Sequence, residues 1–361
     1  MTLPTLATPA ALVDLDRMEA NLVRMQEYAD EHGLLLRPHT KTHKARWLAE
    51  EQAARGAAGV TVATPVEAGV MAGAAPELLV AYPALGPRAD AIAAVAGRTP
   101  TLVGLDSVEA ARALAEAVNR AGTGPVGVLV ELDVGMRRCG VPDAAAAVEV
   151  ARACGDGVVY RGIMFYPGHI RERVEAQDGK LEALSRALDG AVQALGEAGL
   201  APEIVSGGST PTAFRSHDVA HQTEIRPGTY VFNDRTTFGM GACDRADCAY
   251  TVLATVISTA VRGQAVVDAG SKALSSDPIR AEGMEGFGEL LDRPEVTVVR
   301  MSEEHGVLDL SGTAWRPRVG ERVRIIPNHV CVSVNLQTEV HGVRGDAVER
   351  SWAPEARGWR A

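Results

Sequence analysis

Up to about residue 235, short runs rich in β-branched residues alternate with Ala-rich stretches in which apolar positions recur every three or four residues. The strand candidates are ALVDLD (11–16), LLLRPH (34–39), GVTVAT (59–64), LLVAYP (78–83), TLVGLD (101–106), VGVLVELD (126–133), VYRGIMFY (159–166), EIVSGG (203–208) and EIRPGTY (224–230). Between them, SVEAARALAEAVNRAG (107–122) and LEALSRALDGAVQALGEAG (181–199) carry helical periodicity. A βα unit repeated roughly eight times predicts an α/β fold of the (β/α)8 TIM-barrel type. The alternative, an open doubly wound sheet, wants a Gly-x-Gly-x-x-Gly turn after its first strand, and no such turn is present.

Beyond residue 236 the pattern changes. CAYTVLATVIST (248–259), QAVVDAG (264–270), VTVVRM (296–301), GVLDL (306–310) and RVRIIPNHVCVSVNL (322–336) read as strands separated by Gly, Pro and Asp turns. The expected division is a barrel over 8–235 and a mainly-β domain over 236–361 that also takes in residues 1–7. The tail after His341 is polar and offers no motif.

Composition narrows the function classes. With 361 residues the chain is long enough for a barrel plus a second domain. Aromatic residues make up only 4%, so the core must be built from Ala, Val, Leu and Ile. A net charge of −10 leaves no basic stripe to gather phosphates, which argues against nucleic acid as a partner. No apolar run reaches the length of about 20 residues that a membrane span requires. MTLPTLATPAALVDLD lacks the basic and apolar regions of a signal peptide. The five scattered cysteines form no evident disulfide framework. A cytoplasmic enzyme is the expectation.

In a barrel of parallel strands, chemistry sits where strands run into the loops that follow them. Those positions hold Lys41 with His39 and His43, Tyr82, Asp106, Arg138 in GMRRCG, Tyr166 and His169 in YPGH, SGGST (206–210) and RPGTY (226–230). SGGST supplies approachable backbone N–H groups and two hydroxyls ahead of a helix, which suits a phosphate, although a tight βα turn has the same composition. RPGTY, some twenty residues on, strengthens the phosphate reading, because the last loops of a barrel commonly form such a site. Lys41 follows an apolar strand, and Arg37, Lys44 and the histidines add positive potential around it, which suits an amine that attacks an aldehyde.

RPHTKTHK, TVATPVEA, ELDVGMRRCG, YPGH, SGGSTPT, TEIRPGTYVFND, DAGSKALSSD, EEHG and PNHVCVSVNL, in this order from about residue 8 to 340, resemble the alanine-racemase-like (fold-type III) pyridoxal-phosphate enzymes. Within them the resemblance is to the branch of D-threonine aldolases and zinc-dependent D-serine dehydratases. It implies a barrel that carries pyridoxal 5'-phosphate, a homodimer with active sites at the interface, and a small D-amino acid as substrate. Lys41 corresponds to the lysine that holds the cofactor covalently, while Lys44 matches no cofactor role. Tyr166 corresponds to a flat side chain against the pyridine ring, and Arg138 to an arginine near the phenolic oxygen. Arg226 corresponds to an arginine facing the ring nitrogen, a position that varies between branches. Ser206, Gly207, Gly208, Ser209 and Thr210, with Gly228, Thr229 and Tyr230, match the phosphate-binding turns. Racemases carry a lysine near Arg138 where this chain has Glu131, and their second-domain tyrosine base has no counterpart, so racemization is disfavoured.

His329 and Cys331 stand two apart in a predicted strand, so their side chains share a face and could grip one ion. A buried core pair has the same spacing. The resemblance adds that His-x-Cys is the metal site of the D-serine dehydratases, whereas D-threonine aldolases carry His-x-Asp. A thiolate favours zinc over the manganese or magnesium that an aspartate suits. His305 in EEHG is a candidate supporting or proton-moving group. Together these residues imply β-elimination from a D-β-hydroxy amino acid, with His329, Lys41 and Tyr166 in the catalytic set. Retro-aldol cleavage to glycine and an aldehyde is the alternative, because most of the residues are shared. A non-catalytic carrier of the cofactor lacks a second domain, and Schiff-base chemistry on a phosphorylated ketose would leave the protein colourless.

Overall fold

The computed structural model describes residues 2–358. The first strand, β1 (Ala10–Asp14), leads into α1 (Leu15–Glu31). Eight strands follow: β2 (Leu35–Leu36), β3 (Val60–Val62), β4 (Leu78–Val80), β5 (Thr101–Leu105), β6 (Val126–Leu132), β7 (Val158–Phe165), β8 (Ile204–Gly207) and β9 (Glu224–Ile225). The helices between them are α2 (Arg46–Ala54), α3 (Pro65–Met71), α4 (Pro87–Ala96), α5 (Val108–Ala121), α6 (Ala144–Arg152) and α7 (Asp178–Glu197). The remainder comprises α8 (Arg235–Gly239), β10 (Tyr250–Ser258), β11 (Gln264–Val267), α9 (Ser271–Leu274), β12 (Gly288–Leu290), β13 (Arg293–Met301), β14 (Gly306–Asp309), β15 (Arg322–Pro327), α10 (Val330–Leu336), β16 (Val340–Arg344) and β17 (Ala347–Trp352).

By compactness the described residues form two units. One holds the chain up to Val23, Thr42–Ala45 and Thr229–Gly358; the other holds Arg24–Lys41 and Arg46–Gly228. Residue 1 and residues 359–361, at the ends of the expected β-domain range, lie outside the described residues.

In the second unit β2 to β9 pair in parallel in the order β2-β9-β8-β7-β6-β5-β4-β3. The two ends of the sheet meet where His39, just beyond β2, bridges Thr61 of β3, so the sheet curls into the expected barrel. Buried on both sides, β6 is apolar at every position but one, as a parallel strand between a packed interior and a helix layer must be. Leu79, Leu102, Leu129 and Met164 fill the interior, and Gly104 makes room for them, because a Cβ there would lie 2.2 Å from the Met164 sulfur. The outer helices present apolar stripes. In α5 these are Ala110, Ala111, Leu114, Ala117 and Val118, between the Ser107 side-chain cap and Gly122 in the left-handed conformation.

The other unit is built on a nine-stranded sheet of order β11-β14-β13-β12-β15-β10-β1-β16-β17. Two sequence expectations are corrected here. ALVDLD is not a barrel strand: β1 lies inside this sheet, antiparallel to β10 and parallel to β16, and its last two residues open α1. Its unbroken apolar run suits a buried strand of either sheet, so periodicity could not assign it. Second, RVRIIPNHVCVSVNL is a strand only over β15; after Pro327 and Asn328 the chain turns into α10. The tail that offered no motif forms the sheet's edge pair, β16 and β17.

Candidate active site

A cavity of about 630 Å³ opens at the carboxyl ends of the barrel strands. Lys41, Tyr82, Glu131, Arg138, Tyr166 and Arg226 all line it, so the structure brings together the lysine, tyrosines and arginines singled out from strand ends. Lys41 lies in a single 3-10 turn, Thr40–Thr42, directly after β2. The Thr40 hydroxyl donates to the Thr61 carbonyl at 3.2 Å, which ties that turn to the neighbouring strand. Tyr166 leaves the end of β7 and folds back over Gly168, where a Cβ would lie 2.2 Å from the ring; this is the physical need for glycine in YPGH. Above that ring stand two cations, the Lys41 Nζ 5.7 Å and the Arg138 guanidinium 4.9 Å from its centroid. His39 also lines the cavity. Asp106 accepts the Gly140 N–H at 2.9 Å and so pins the loop bearing Arg138, while His169 packs beneath that loop against Gly135.

The cavity floor is strongly charged. Arg226 is buried, donates to the Phe165 carbonyl at 2.7 Å, and leaves its Nε without a partner. Burial lowers the Arg226 pKa, opposed by the carboxylates of Glu224 and Glu131. Glu224 in turn receives two 3.0 Å bonds from the buried Arg37, which also pairs with Glu77 at 2.9 Å. Glu131 is only 5% exposed, and burial raises its pKa by more than Arg226 and Arg138 lower it. Sequence reasoning had named Arg37 only as local positive potential and had missed Glu224. Their pairing joins residues 187 apart in the chain, which no local pattern signals.

SGGST follows β8. The Gly207 carbonyl accepts the Arg226 N–H at 2.8 Å, a Cβ on Gly207 would lie 2.0 Å from the Phe165 ring, and Gly208 has φ +90°. Ser206 keeps a buried hydroxyl without a partner. Bare backbone and a free hydroxyl make a cradle that fits a phosphorylated cofactor. Ser209 and Thr210 open the 3-10 stretch that follows. Gly228 ends the barrel unit, whereas Thr229 and Tyr230 belong to the other unit, in the 3-10 turn Thr229–Val231.

In that other unit His329 precedes α10 and Cys331 lies in its first turn, so the strand argument for their common face is replaced by helix-terminus geometry. The Cys331 sulfur is 3.2 Å from the Thr42 hydroxyl and 3.8 Å from that of Thr229. His329 Nδ1 is 3.2 Å from Asp234 Oδ2. Burial opposes charge on the imidazole, but Cys331 and the Asp234 carboxylate outweigh it and push the His329 pKa up to about 11. The side chains of His329 and Cys331 also interact with each other. Nitrogen and sulfur side by side form a donor set that fits a borderline-soft ion such as zinc. Among the described residues no three His, Cys, Asp or Glu side chains converge as a fuller ligand set. His305 is exposed, between β13 and β14. Asp234 was not foreseen; its place before α8 marks it as a helix cap, and only the fold reveals its second partner.

Comparison with known proteins places this geometry. Residues 13–236 match the family described as alanine racemase, N-terminal domain, and residues 249–343 the putative serine dehydratase domain. D-threo-3-hydroxyaspartate dehydratase of Delftia sp. (strain HT23) is 35% identical, over 99% of this chain and 99% of its own. Its solved structure superposes with a TM-score of 0.90 at 34% identity, covering 99% of this chain and 100% of that one. Solved variants of that dehydratase include a His-to-Ala replacement and, two positions further along its chain, a Cys-to-Ala replacement in the metal-free form. The D-threonine aldolase structure from Filomicrobium marinum has a TM-score of 0.89 at 33% identity, covering 98% and 96% of the two chains. D-serine dehydratase of Dictyostelium discoideum is 27% identical, over 94% of each chain. On these matches the chain belongs to the alanine-racemase-like family, in the branch that includes D-threo-3-hydroxyaspartate dehydratase and D-threonine aldolase.

Proposed function

We propose that this protein is a pyridoxal-phosphate- and zinc-dependent lyase that removes the β-hydroxyl of a D-β-hydroxy amino acid, releasing a ketoacid and ammonia. The observation that carries the reading is the His329–Cys331 donor pair. It is supported by the Delftia dehydratase, where a Cys replacement two positions after a His replacement accompanies the metal-free form. In this reading Lys41 anchors the cofactor and takes the proton from Cα, Tyr166 flanks the ring, and Arg138 lies at its phenolic oxygen. Arg226 faces the ring nitrogen and leaves it unprotonated, since a guanidinium keeps its own proton. The Ser206–Thr210 turn, with Gly228, Thr229 and Tyr230, receives the phosphate. His329 and Cys331 hold the ion, leaving its other positions to water and substrate. The cofactor supplies an electron-withdrawing ring to the Cα bonds, and the ion supplies Lewis acidity to the departing hydroxyl. The likeness to the Filomicrobium aldolase favours one second reading, retro-aldol cleavage to glycine and an aldehyde. We further propose a homodimer acting in the cytoplasm.

The test is a product assay on D-serine, D-threonine and D-threo-3-hydroxyaspartate with the purified holoenzyme. Ketoacid and ammonia are expected in equal amounts. Glycine with an aldehyde would transfer the assignment to the aldolases, and turnover by a protein shown to be metal-free would remove the metal from the scheme.

A further inference from the structure

Asp234 is fully buried and caps α8 with one carboxylate oxygen, Oδ1 accepting the Thr237 N–H at 2.9 Å. A capping aspartate needs no more than that, and its second oxygen is ordinarily left to water. Here Oδ2 accepts the backbone N–H of Val330 at 3.0 Å and faces His329 Nδ1 at 3.2 Å. The carboxylate therefore holds, from outside, both the ring of His329 and the backbone link between His329 and Cys331. No side chain of α10's own caps that helix, so Asp234 also serves its N-terminus.

We propose that Asp234 is a positioning residue for the metal site, one that fixes His329 with Nδ1 protonated and Nε2 as the coordinating atom. The physical reason is that an ionised carboxylate only accepts hydrogen bonds, so the ring nitrogen facing it must carry a hydrogen. Once the imidazole is neutral, as coordination requires, its lone pair is on Nε2. The Val330 bond to the same oxygen restrains the ring against the helix turn that bears the Cys331 sulfur. This inference rests on the reading that His329 and Cys331 bind an ion.

The test titrates metal-stripped, cofactor-loaded protein with zinc against a chromophoric chelator. Asp234→Asn keeps the side chain's shape but cannot accept from Thr237 on one side and from both Val330 and His329 on the other. Its zinc affinity is expected to fall about 10- to 100-fold, with the cofactor absorbance retained. Thr237→Ala keeps the backbone N–H to Oδ1 and removes the hydroxyl that donates to Oδ1 at 3.1 Å and accepts the Asp234 N–H at 2.8 Å, leaving Oδ2 untouched. It is expected to bind zinc within about threefold of wild type. His329→Ala is expected to lose stoichiometric binding. If Asp234→Asn binds like wild type while His329→Ala does not, the positioning role falls and the metal site stands. If His329→Ala binds like wild type, the metal site itself falls. Equal losses in Asp234→Asn and Thr237→Ala would assign the effect to the helix cap and overturn the proposal. A crystal structure of the zinc-loaded wild type decides independently of any variant's folding: the ion on Nε2 is expected, and coordination through Nδ1 would overturn it.

Discussion

Glu131 illustrates how a single side chain at the cavity floor is set by its surroundings. Its pKa is raised, by burial first, against the pull of Arg226 and Arg138. An acid whose folded pKa exceeds its unfolded value, about 4.3 for Glu, contributes stability that is complete below the unfolded value. That stability is lost as pH rises through the folded one. Glu131→Gln removes this dependence, so its melting temperature relative to wild type should climb between pH 4 and pH 8. A difference that stays constant across that range would show that the Glu131 pKa is not raised. Lys41 and Lys44 lie three residues apart, and only Lys41 lines the cavity. Borohydride reduction and peptide mapping should therefore find the pyridoxyl group on Lys41, and finding it on Lys44 would move the anchor. Lys41, Arg138, Tyr166 and Arg226 were legible because strand ends are where a barrel gathers its chemistry. Asp234 and Glu224 were not, because what they do is defined by partners distant in the chain.

At the scale of elements, α10 shows how an apolar pattern can mislead. Val330, Val332, Val334 and Leu336 alternate as a half-buried strand would. In the structure Val330, Ser333 and Val334 are buried, whereas Val332 and Leu336 are 37% and 40% exposed, a helical grouping of positions four apart. What decides is tertiary: Asp234 caps the helix start, and the buried Ser333 hydroxyl bonds Ala273 O at 2.6 Å and Tyr250 at 2.9 Å. The helix α5, by contrast, was legible because its cap, its stripe and its terminal glycine agree. Ser107→Ala should cost about 1 kcal/mol and Leu114→Ala about 2–5 kcal/mol, read as the shift in chemical denaturation midpoint. Equal costs for the two would mean that the stripe is not packed as the buried Leu114 implies.

For the whole molecule, the proposed cofactor and ion make separate demands. The barrel unit holds Lys41, the Ser206–Thr210 turn and Arg226; the other holds His329 and Cys331, and also Thr229 and Tyr230. None of the residues assigned to the cofactor is a ligand of the ion, so chelation should abolish turnover while leaving the cofactor's visible absorbance intact, and replacement of Cys331 by Ala should do the same. Loss of colour on chelation would show that the metal supports cofactor binding as well. The proposed homodimer predicts a sedimenting mass of twice the 38.0 kDa chain, and a monomer that is fully active would remove the dimer from the scheme. No helix among the described residues is long and apolar enough to cross a membrane.

The sequence by itself determined what depends on local order: alternating βα units imply a barrel, and the positions after the strands name most of the charged and aromatic side chains of the cavity. Short-range periodicity and turn chemistry act within a few residues, so they survive reading one residue at a time. Tertiary structure alone decided which sheet β1 joins, since the unbroken apolar run Ala10–Val13 carries no record of its neighbours. It also turned the segment after Pro327 into a helix and gave Asp234 a second partner 95 residues away. Those outcomes rest on buried hydrogen bonds between distant segments, whose worth appears only once water has been excluded from both ends.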